Sequence, residues 1–297
     1  MALLHSVSYS GTWGHEALPL EKFVDKAAEL GYDGVMLMAK RPHLSVLDWD
    51  GEARLRLRDQ LAQRGMRTIC VAGYTNFTAD IEHTEVPTTE MQIQHVTELA
   101  RMARGLGGNL VRVFTGYENP ASTYLAEWSL LVRALRECAQ RAADFGVTVA
   151  VQNHHDIASG FESQFDLIEE VDHPNCRAAF DAWAPALHGE NIVAAAEKMG
   201  KITVLTTAAN YQVRPRYRLA TKLTMFEPIL ATAKAVPIDE GFIDYPAFFS
   251  ALERGGFRGA VTYEMCSPLR GGGSVDNLDR YARKFVEFMR QRELTVA

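Results

Sequence analysis

One short unit recurs along this chain and limits what the chain can fold into. An amphipathic stretch ends at glycine, and a short apolar run rich in β-branched residues follows, as in LAQRGMRTICVAG, ARGLGGNLVRVFTG and AADFGVTVAVQN. Glycine just past the last helical turn adopts the left-handed conformation that ends a helix. The apolar run after it is typical of a buried strand. Each copy of the unit therefore predicts a helix followed by a strand.

Repetition of this unit predicts the architecture. Eight candidate strands begin near residues 3, 34, 68, 110, 147, 177, 202 and 260, and helical segments separate nearly all of them. Strict alternation of this kind favours a parallel sheet, and eight units favour a single closed (β/α)8 TIM barrel across residues 1–297. An open doubly wound sheet is the alternative, but no G-x-G-x-x-G follows the first strand. The stretch from about 208 to 236 departs from the repeat, and we expect an excursion after strand seven.

Composition narrows the setting in which the protein works. The net charge is −6, which argues against nucleic acid as a partner. Four scattered cysteines without a C-x-x-C pair indicate a reducing compartment. The first residues lack a signal-peptide pattern, and no run approaches the roughly 20 apolar residues of a membrane span. We therefore expect a cytoplasmic protein with no membrane partner; a homo-oligomer and a hetero-oligomer both stay open.

Polar side chains gather where the predicted strands end. In a parallel barrel the active site lies at the carboxyl ends of the strands and in the loops that follow them. Strand five ends in Gln152-Asn153-His154-His155-Asp156. The other candidates at such positions are Lys40, Arg41 and His43 after strand two, Arg112 in strand four, Asp181 and Trp183 after strand six, Thr207 in strand seven, and Glu264 and Arg270 after strand eight.

The alternation of side chains along a strand brings three of these residues together. Gln152 and His154 share one face of strand five, and Glu264 shares a face of strand eight with Cys266. If these faces point inward, then Gln152, Asp181 and Glu264 converge over the barrel mouth. Oxygen ligands from neighbouring strands suit a divalent ion such as Mn²⁺ or Mg²⁺.

The stretch IDEGFIDYPAFFSALERGGFRGAVTYEM, residues 238–265, carries a resemblance. It is similar to a segment of the sugar isomerase/epimerase barrels, often called the xylose isomerase-like family, in which a glycine, "iDy", a helix ending in "GF.G" and a final strand ending in glutamate follow one another. The resemblance extends over the whole chain. It implies a TIM barrel that holds a divalent metal through Glu, Asp, His and Glu from strands five to eight. Asp181 and Glu264 match the second and fourth of these ligands.

Two positions depart from that family pattern. The usual E-N-H of strand five is Gln152-Asn153-His154 here, and Thr207 stands where the resemblance places a histidine. An amide offers a neutral carbonyl oxygen, whereas a carboxylate contributes charge and can act as a base. We therefore expect either weaker metal binding through Gln152, Asp181, Thr207 and Glu264 or no bound metal. The resemblance also implies epimerisation by two carboxylates that face each other across the substrate, and Gln152 takes the place of one of them.

The leading hypothesis is an isomerase or epimerase that removes a proton next to the carbonyl of a sugar or keto-sugar. Glu264 would hold the metal and move a proton, and His154 or His155 would be the acid or base, because imidazole titrates near neutral pH. The residues expected to bind substrate are Lys40, Arg41, His43, Arg112, Trp183 and Arg270. Arginines of the excursion and the glycines after Arg270 suit an anionic or hydroxylated substrate.

Three other functions remain open from the sequence. Gln152 shifts weight towards a lyase or dehydratase acting on a keto-sugar or a 3-keto glycoside, which needs one base and one acid. The two missing ligands favour a non-catalytic sugar-binding or partner subunit. An endonuclease IV-like nuclease would need a histidine-rich zinc cluster, which this acidic chain does not offer at its strand ends.

Overall fold

A computed structural model describes residues 1–81, 84–155 and 157–296. Eight parallel strands close into a barrel in the spatial order β1-β10-β7-β6-β5-β4-β3-β2. The strands of the barrel are β1 (Ala2–His5), β2 (Gly34–Met38), β3 (Thr68–Ala72), β4 (Leu110–Val113), β5 (Thr148–Gln152), β6 (Cys176–Ala179), β7 (Thr203–Ala208) and β10 (Ala260–Tyr263). The predicted closed barrel is confirmed, with each strand near its predicted start. Asp156, predicted in the polar cluster after β5, lies outside the described residues.

Helices cover the outside of the barrel. They are α1 (Leu20–Glu29), α2 (Gly51–Gln63), α3 (Thr88–Gly105), α4 (Tyr124–Ala143), α5 (Phe161–Val171), α6 (Trp183–Leu187), α7 (Ile192–Met199), α8 (Tyr245–Arg254) and α9 (Val275–Val296), with short 3₁₀ turns at Ser6–Tyr9 and Ala79–Ile81. Gly65 after α2 and Gly146 after α4 have φ of 70° and 65°, the left-handed conformation expected of a residue that ends a helix. In the part of the chain that the structure describes, no helix has both the length and the apolar character to cross a membrane.

The barrel interior is filled mostly by small and medium apolar side chains. They are Leu3, Met36, Cys70, Ala72, Leu110, Ala150, Ala179, Leu205 and Ala260. Alternation along β4 places Arg112 on the same inward face as Leu110, and Arg112 lies beside Ala150 in the register. The guanidinium therefore occupies the space that the small Ala150 leaves open, and Arg112 has no exposed surface.

The excursion after β7 is a long β-hairpin outside the barrel. Its strands β8 (Asn210–Ala220) and β9 (Met225–Val236) pair with each other in antiparallel fashion and with no barrel strand among the described residues. Asn210 fixes the base of the hairpin, because its Nδ2 donates to the carbonyl oxygens of Ile238 and Ile243 at 2.7 and 2.9 Å. A Cβ atom on Gly241 would lie only 1.9 Å from Asn210 Oδ1, so only glycine lets the returning chain pass this side chain.

Candidate active site

A small cavity opens at the carboxyl ends of β5, β6, β7 and β10. Its volume is about 150 Å³, and Gln152, His154, Asp181, Trp183, Thr207, Ala208, Ala209, Tyr211, Tyr245, Glu264, Cys266 and Ser267 line it. The volume is below the roughly 300–1,000 Å³ of pockets that enclose a drug-sized ligand. The cavity therefore suits a small polar molecule or one end of a larger one.

Asp181 is the centre of a hydrogen-bond network on one side of this cavity. Gln152 Nε2 and Thr207 Oγ1 both donate to Asp181 Oδ2, at 2.7 and 2.9 Å, and the Trp183 amide donates to Oδ1 at 3.1 Å. Gln152 Nε2 also lies 3.0 Å from Thr207 Oγ1. Three adjacent strands thus supply three side chains that contact one another at a single carboxylate.

Asn153 fixes the backbone that carries Asp181. The Asp181 amide donates to Asn153 Oδ1 at 2.8 Å, and Asn153 Nδ2 donates to the Asp181 carbonyl oxygen at 3.0 Å. Gln152 and Asn153 point to opposite faces of the strand end. The two neighbouring amides therefore have different roles: Gln152 faces the cavity, and Asn153 joins the ends of β5 and β6.

Two features of the Asp181 network bear on chemistry. Burial raises the pKa of Asp181 above its usual value, and the hydrogen bonds from Gln152 and Thr207 only partly oppose this effect. Gln152 Oε1 is buried without a hydrogen-bond partner among the described residues. A buried acceptor without a partner is rare in native proteins, so it is available to a donor on a bound molecule.

Glu264 lies in different surroundings at the end of β10. Cys266 Sγ donates to Glu264 Oε1 at 2.6 Å, and His5 Nε2 lies 3.9 Å from the same oxygen. Arg112 Nη2 lies 3.4 Å from the same nitrogen of His5, Nε2. The Glu264 side chain is 16% exposed, whereas His5 is completely buried. The Glu264 carboxylate and the buried guanidinium of Arg112 thus both lie close to one nitrogen of His5.

Arg112 is held rigidly beneath the mouth. Its Nη1 donates to the Gly73 carbonyl oxygen at 2.9 Å, and its guanidinium carbon lies 3.9 Å from the ring centre of Phe114 and 5.1 Å from that of Tyr74. Burial lowers the pKa of His5 well below its usual value, and the nearby charge of Arg112 lowers it further. His5 is therefore neutral at physiological pH, and Arg112 carries the positive charge on this side.

Of the two histidines after β5, His154 lines the cavity. His155 has a left-handed backbone conformation, with φ of 68°, and stacks on Tyr117 with ring centres 4.2 Å apart. Its Nε2 lies 3.0 Å from Tyr117 Oη. Burial, followed by the charges of His154 and Arg112, lowers the pKa of His155 to about 4. The structure places His155 against the aromatic rim rather than in the cavity.

The residues predicted to bind substrate are dispersed. Trp183 lines the cavity and contacts Tyr211 with ring centres 4.2 Å apart. Lys40 lies over the ring of Tyr74, with its Nζ 4.1 Å from the ring centre.

Three of the predicted residues are engaged elsewhere. Arg41 forms an ion pair with Asp48 on the surface, and Arg270 pairs with Glu240. His43 is buried, with Nε2 3.0 Å from the Leu18 carbonyl oxygen. None of Arg41, His43 and Arg270 lines the cavity.

Several cavity residues were missed from the sequence. Tyr245 lines the cavity, and its Oη donates to the Ala209 carbonyl oxygen at 2.8 Å. In the sequence its only signal is the "iDy" motif of the family resemblance. Tyr211 is at the base of the hairpin, where an isolated sequence gives no sign of its direction. His5 lies close to Glu264 but does not line the cavity; it had a signal in the sequence, because it is a polar residue at the end of the first strand.

The family's metal ligands can be tested against these side chains. Gln152 and Thr207 direct hydrogen-bond donors, not lone pairs, at Asp181 Oδ2, and Glu264 Oε1 already accepts from Cys266. Among the described residues, no group of three or more His, Cys, Asp and Glu side chains could hold a metal ion. Mn²⁺ and Mg²⁺ need several converging oxygen or nitrogen lone pairs. The donor set does not fit the divalent ion that the resemblance implied.

The chain matches a known protein family over most of its length. The profile of the xylose isomerase-like TIM barrel family matches residues 24–292. The chain belongs to this family. The resemblance expected from residues 238–265 is thereby confirmed.

Characterised relatives of this family member are distant. Fructoselysine 3-epimerase of Escherichia coli O157:H7 is 22% identical over 200 residues, which cover 64% of this chain and 70% of that protein. L-ribulose 3-epimerase of Methylomonas sp. (strain DH-1) is 21% identical over 97% of this chain and 96% of its own length. A solved structure of a probable 3-DHS dehydratase from Bacillus anthracis is 20% identical, with a TM-score of 0.72, and covers 97% of this chain and 99% of its own. Identity at this level to a solved structure supports the shared barrel alone.

Proposed function

We propose that this protein is an isomerase or epimerase that moves a proton at a carbon next to the carbonyl of a sugar or keto-sugar. The observation that carries the proposal is a pair of carboxylates, Asp181 and Glu264, in different surroundings on one small cavity. Two of its distant relatives are sugar 3-epimerases, which favours this reaction class. Carboxylates with different surroundings suit one acid and one base.

Glu264 is the base in this proposal. A carboxylate oxygen of Glu264 accepts the proton from the carbon, and the electron pair of the broken C–H bond forms an enediolate with the carbonyl. The thiol of Cys266 donates to Glu264 and holds the carboxylate in place as an acceptor, and the buried positive charge of Arg112 lies nearby, beside His5. General base catalysis of this kind contributes about 10²–10⁴-fold to the rate.

Asp181 stabilises the enediolate in this proposal. Because burial raises the pKa of Asp181, the carboxyl group can carry a proton on Oδ1 while Oδ2 accepts from Gln152 and Thr207. A neutral buried acid donates a hydrogen bond to a developing oxyanion without the cost of an unpaired charge. His154, at the cavity edge, then returns a proton to the opposite face of the carbon, which completes an epimerisation.

Incubation in D₂O with a panel of ketoses, keto-inositols and 3-keto glycosides, with and without Mn²⁺, tests the proposed function. We expect deuterium at one carbon of at least one substrate, without a requirement for Mn²⁺. Mass spectrometry and NMR measure the incorporation. No incorporation from any member of the panel, under either condition, contradicts the proposal and favours a sugar-binding or partner subunit.

The same experiment addresses a lyase as the second candidate. The glutamine at position 152 and the structural likeness to a probable dehydratase favour it. Loss of water or of an aglycone after deuterium uptake identifies a lyase, whereas an unchanged formula identifies an isomerase or epimerase.

A further inference from the structure

The β8–β9 hairpin exposes an unusual number of large apolar side chains. Seven of them are 49–87% exposed, namely Val213, Tyr217, Leu219, Leu223, Met225, Phe226 and Leu230. Single exposed apolar residues are common on protein surfaces, but a concentration of this kind in 27 residues marks an interaction surface.

The pairing of the two strands gathers part of this set on one face. Leu219 lies opposite Phe226, and Tyr217 lies opposite Pro228. The alternate positions carry Arg218, which pairs with Glu227 across the hairpin at 2.8 Å. The hairpin thus has an apolar face, formed by Tyr217, Leu219, Phe226 and Pro228, and a charged face.

Nothing in the described part of this chain covers the apolar face. The side-chain hydrogen bonds of the outer hairpin stay within it, from Arg214 to Gln212 and from Arg218 to Glu227. An isolated two-stranded hairpin is only marginally stable in water. A defined hairpin of this length therefore needs a surface to pack on.

Charge points to a second copy of this chain as that surface. Residues 210–236 contain five basic residues and one acidic residue, whereas the whole chain contains 31 basic and 37 acidic residues. The rest of the chain is thus strongly acidic, and the basic hairpin of one copy is attracted to the barrel of another.

Exposed apolar residues also surround the barrel mouth. Trp13, Leu47, Tyr117 and Phe242 are 42–78% exposed and follow β1, β2, β4 and the hairpin. We propose that the apolar face of the hairpin packs across the barrel mouth of a second copy, so that the two copies exchange hairpins. Each hairpin then closes the partner's cavity from outside.

The area of the exchange is sufficient for a stable dimer. The base of the hairpin, at residues 210–211 and 235–236, is buried in its own chain, so about 30 Å of each strand is free and one hairpin face covers roughly 300 Å². Two exchanged hairpins, with the surfaces beneath them, bury on the order of 1,200 Å², the lower end of the range for a standard specific interface.

Sedimentation and light scattering on the full chain test this inference. We expect a dimer at micromolar concentration, and Phe226→Glu or Leu219→Glu should weaken it by about tenfold or more, because a charge enters the apolar face. Leu55→Glu is the matched control, since Leu55 on α2 is 49% exposed, as Leu219 is. Circular dichroism of each variant verifies the fold.

Hydrogen exchange in the mouth loops distinguishes this dimer from another one. We expect residues 40–48 and 114–118 to be protected in the wild-type dimer and in Leu55→Glu, and to exchange faster in Phe226→Glu. A wild-type chain that stays monomeric overturns the proposal, as does a dimer that Phe226→Glu leaves intact. Neither measurement depends on catalysis, so the result tests the dimer independently of the proposed function.

Discussion

The two carboxylates of the cavity occupy opposite environments within one barrel mouth. Asp181 is buried among neutral donors from Gln152 and Thr207, and the positively charged Arg112 is not among its hydrogen-bond partners. Glu264 is partly exposed, and both Glu264 and Arg112 lie close to His5 Nε2. The comparison shows that one barrel mouth holds two carboxyl groups in different surroundings, and the roles of acid for Asp181 and base for Glu264 that we propose rest on this difference.

Of the changes to the two carboxylates, removal of the proposed base, Glu264, should reduce activity the most. Glu264→Gln keeps the shape of the side chain but cannot accept a proton, so we expect deuterium incorporation to fall by about 10³-fold. Asp181→Asn should retain more activity, because an amide can still donate a hydrogen bond to the enediolate. Single-turnover exchange in D₂O measures both variants; full activity in Glu264→Gln would contradict the role of Glu264.

Restoring the two missing family ligands should turn the Asp181 side into a metal site. Gln152→Glu with Thr207→His replaces two donors to Asp181 with a carboxylate and an imidazole. We expect the affinity for Mn²⁺ to rise by about 100-fold, a change typical of gained ligand contacts. Calorimetry and metal analysis provide the measurement, with Gln152→Glu alone as the control. A wild-type protein that already holds one equivalent of Mn²⁺ would contradict the poor fit of Gln152 and Thr207 to a metal ion.

Arg112 should also stabilise the folded barrel, because its side chain fills space in the barrel interior. Arg112→Ala leaves a cavity and removes the donor to the Gly73 carbonyl oxygen, so we expect a loss of about 3 kcal/mol in the free energy of unfolding. Arg112→Met keeps most of the volume and should cost less than about half of this. Urea denaturation measures the two variants. Equal losses would mean that charge, rather than volume, dominates at this position.

The raised pKa of Asp181 predicts a smaller effect on stability, and its sign depends on pH. Between the usual value of 3.8 and the raised value, folded Asp181 keeps a proton that the unfolded chain has lost. The contribution of this group to stability therefore falls as pH rises through that window. We expect Asp181→Asn to raise the melting temperature by about 2 °C at neutral pH, and by less at acidic pH. A gain that is largest at acidic pH would contradict the shift.

The smallest expected effect is on the alkylation rate of Cys266, which depends on the charge of the neighbouring Glu264. Burial raises the pKa of the Cys266 thiol, and the neighbouring Glu264 raises it further. Glu264→Gln should therefore speed alkylation by iodoacetamide at mildly alkaline pH by about threefold to tenfold. Cys70, Cys138 and Cys176 are buried, so peptide mapping can assign the label to Cys266. An unchanged alkylation rate would contradict an influence of the Glu264 carboxylate on the Cys266 thiol.

Much of the fold and part of the site were accessible from the sequence. The glycine-ended helices and the eight apolar runs predicted the closed barrel, because backbone conformation and hydrophobic periodicity are local properties. Strand ends in Gln152, Asp181 and Glu264 predicted residues that line one cavity. The placement of Arg41, His43 and Arg270 was not accessible, because a loop side chain takes its direction from partners such as Asp48 and Glu240.

The sequence by itself determined the barrel and placed a glutamine at the end of β5, where the family resemblance implies a glutamate. Only the tertiary structure decided what that glutamine does. Gln152 and Thr207 are distant in sequence, yet adjacent strands bring both to Asp181, where they donate hydrogen bonds to its carboxylate. The orientation of an amide depends on the partners around it, and these are fixed by strand order and register, not by the residues beside it in the chain.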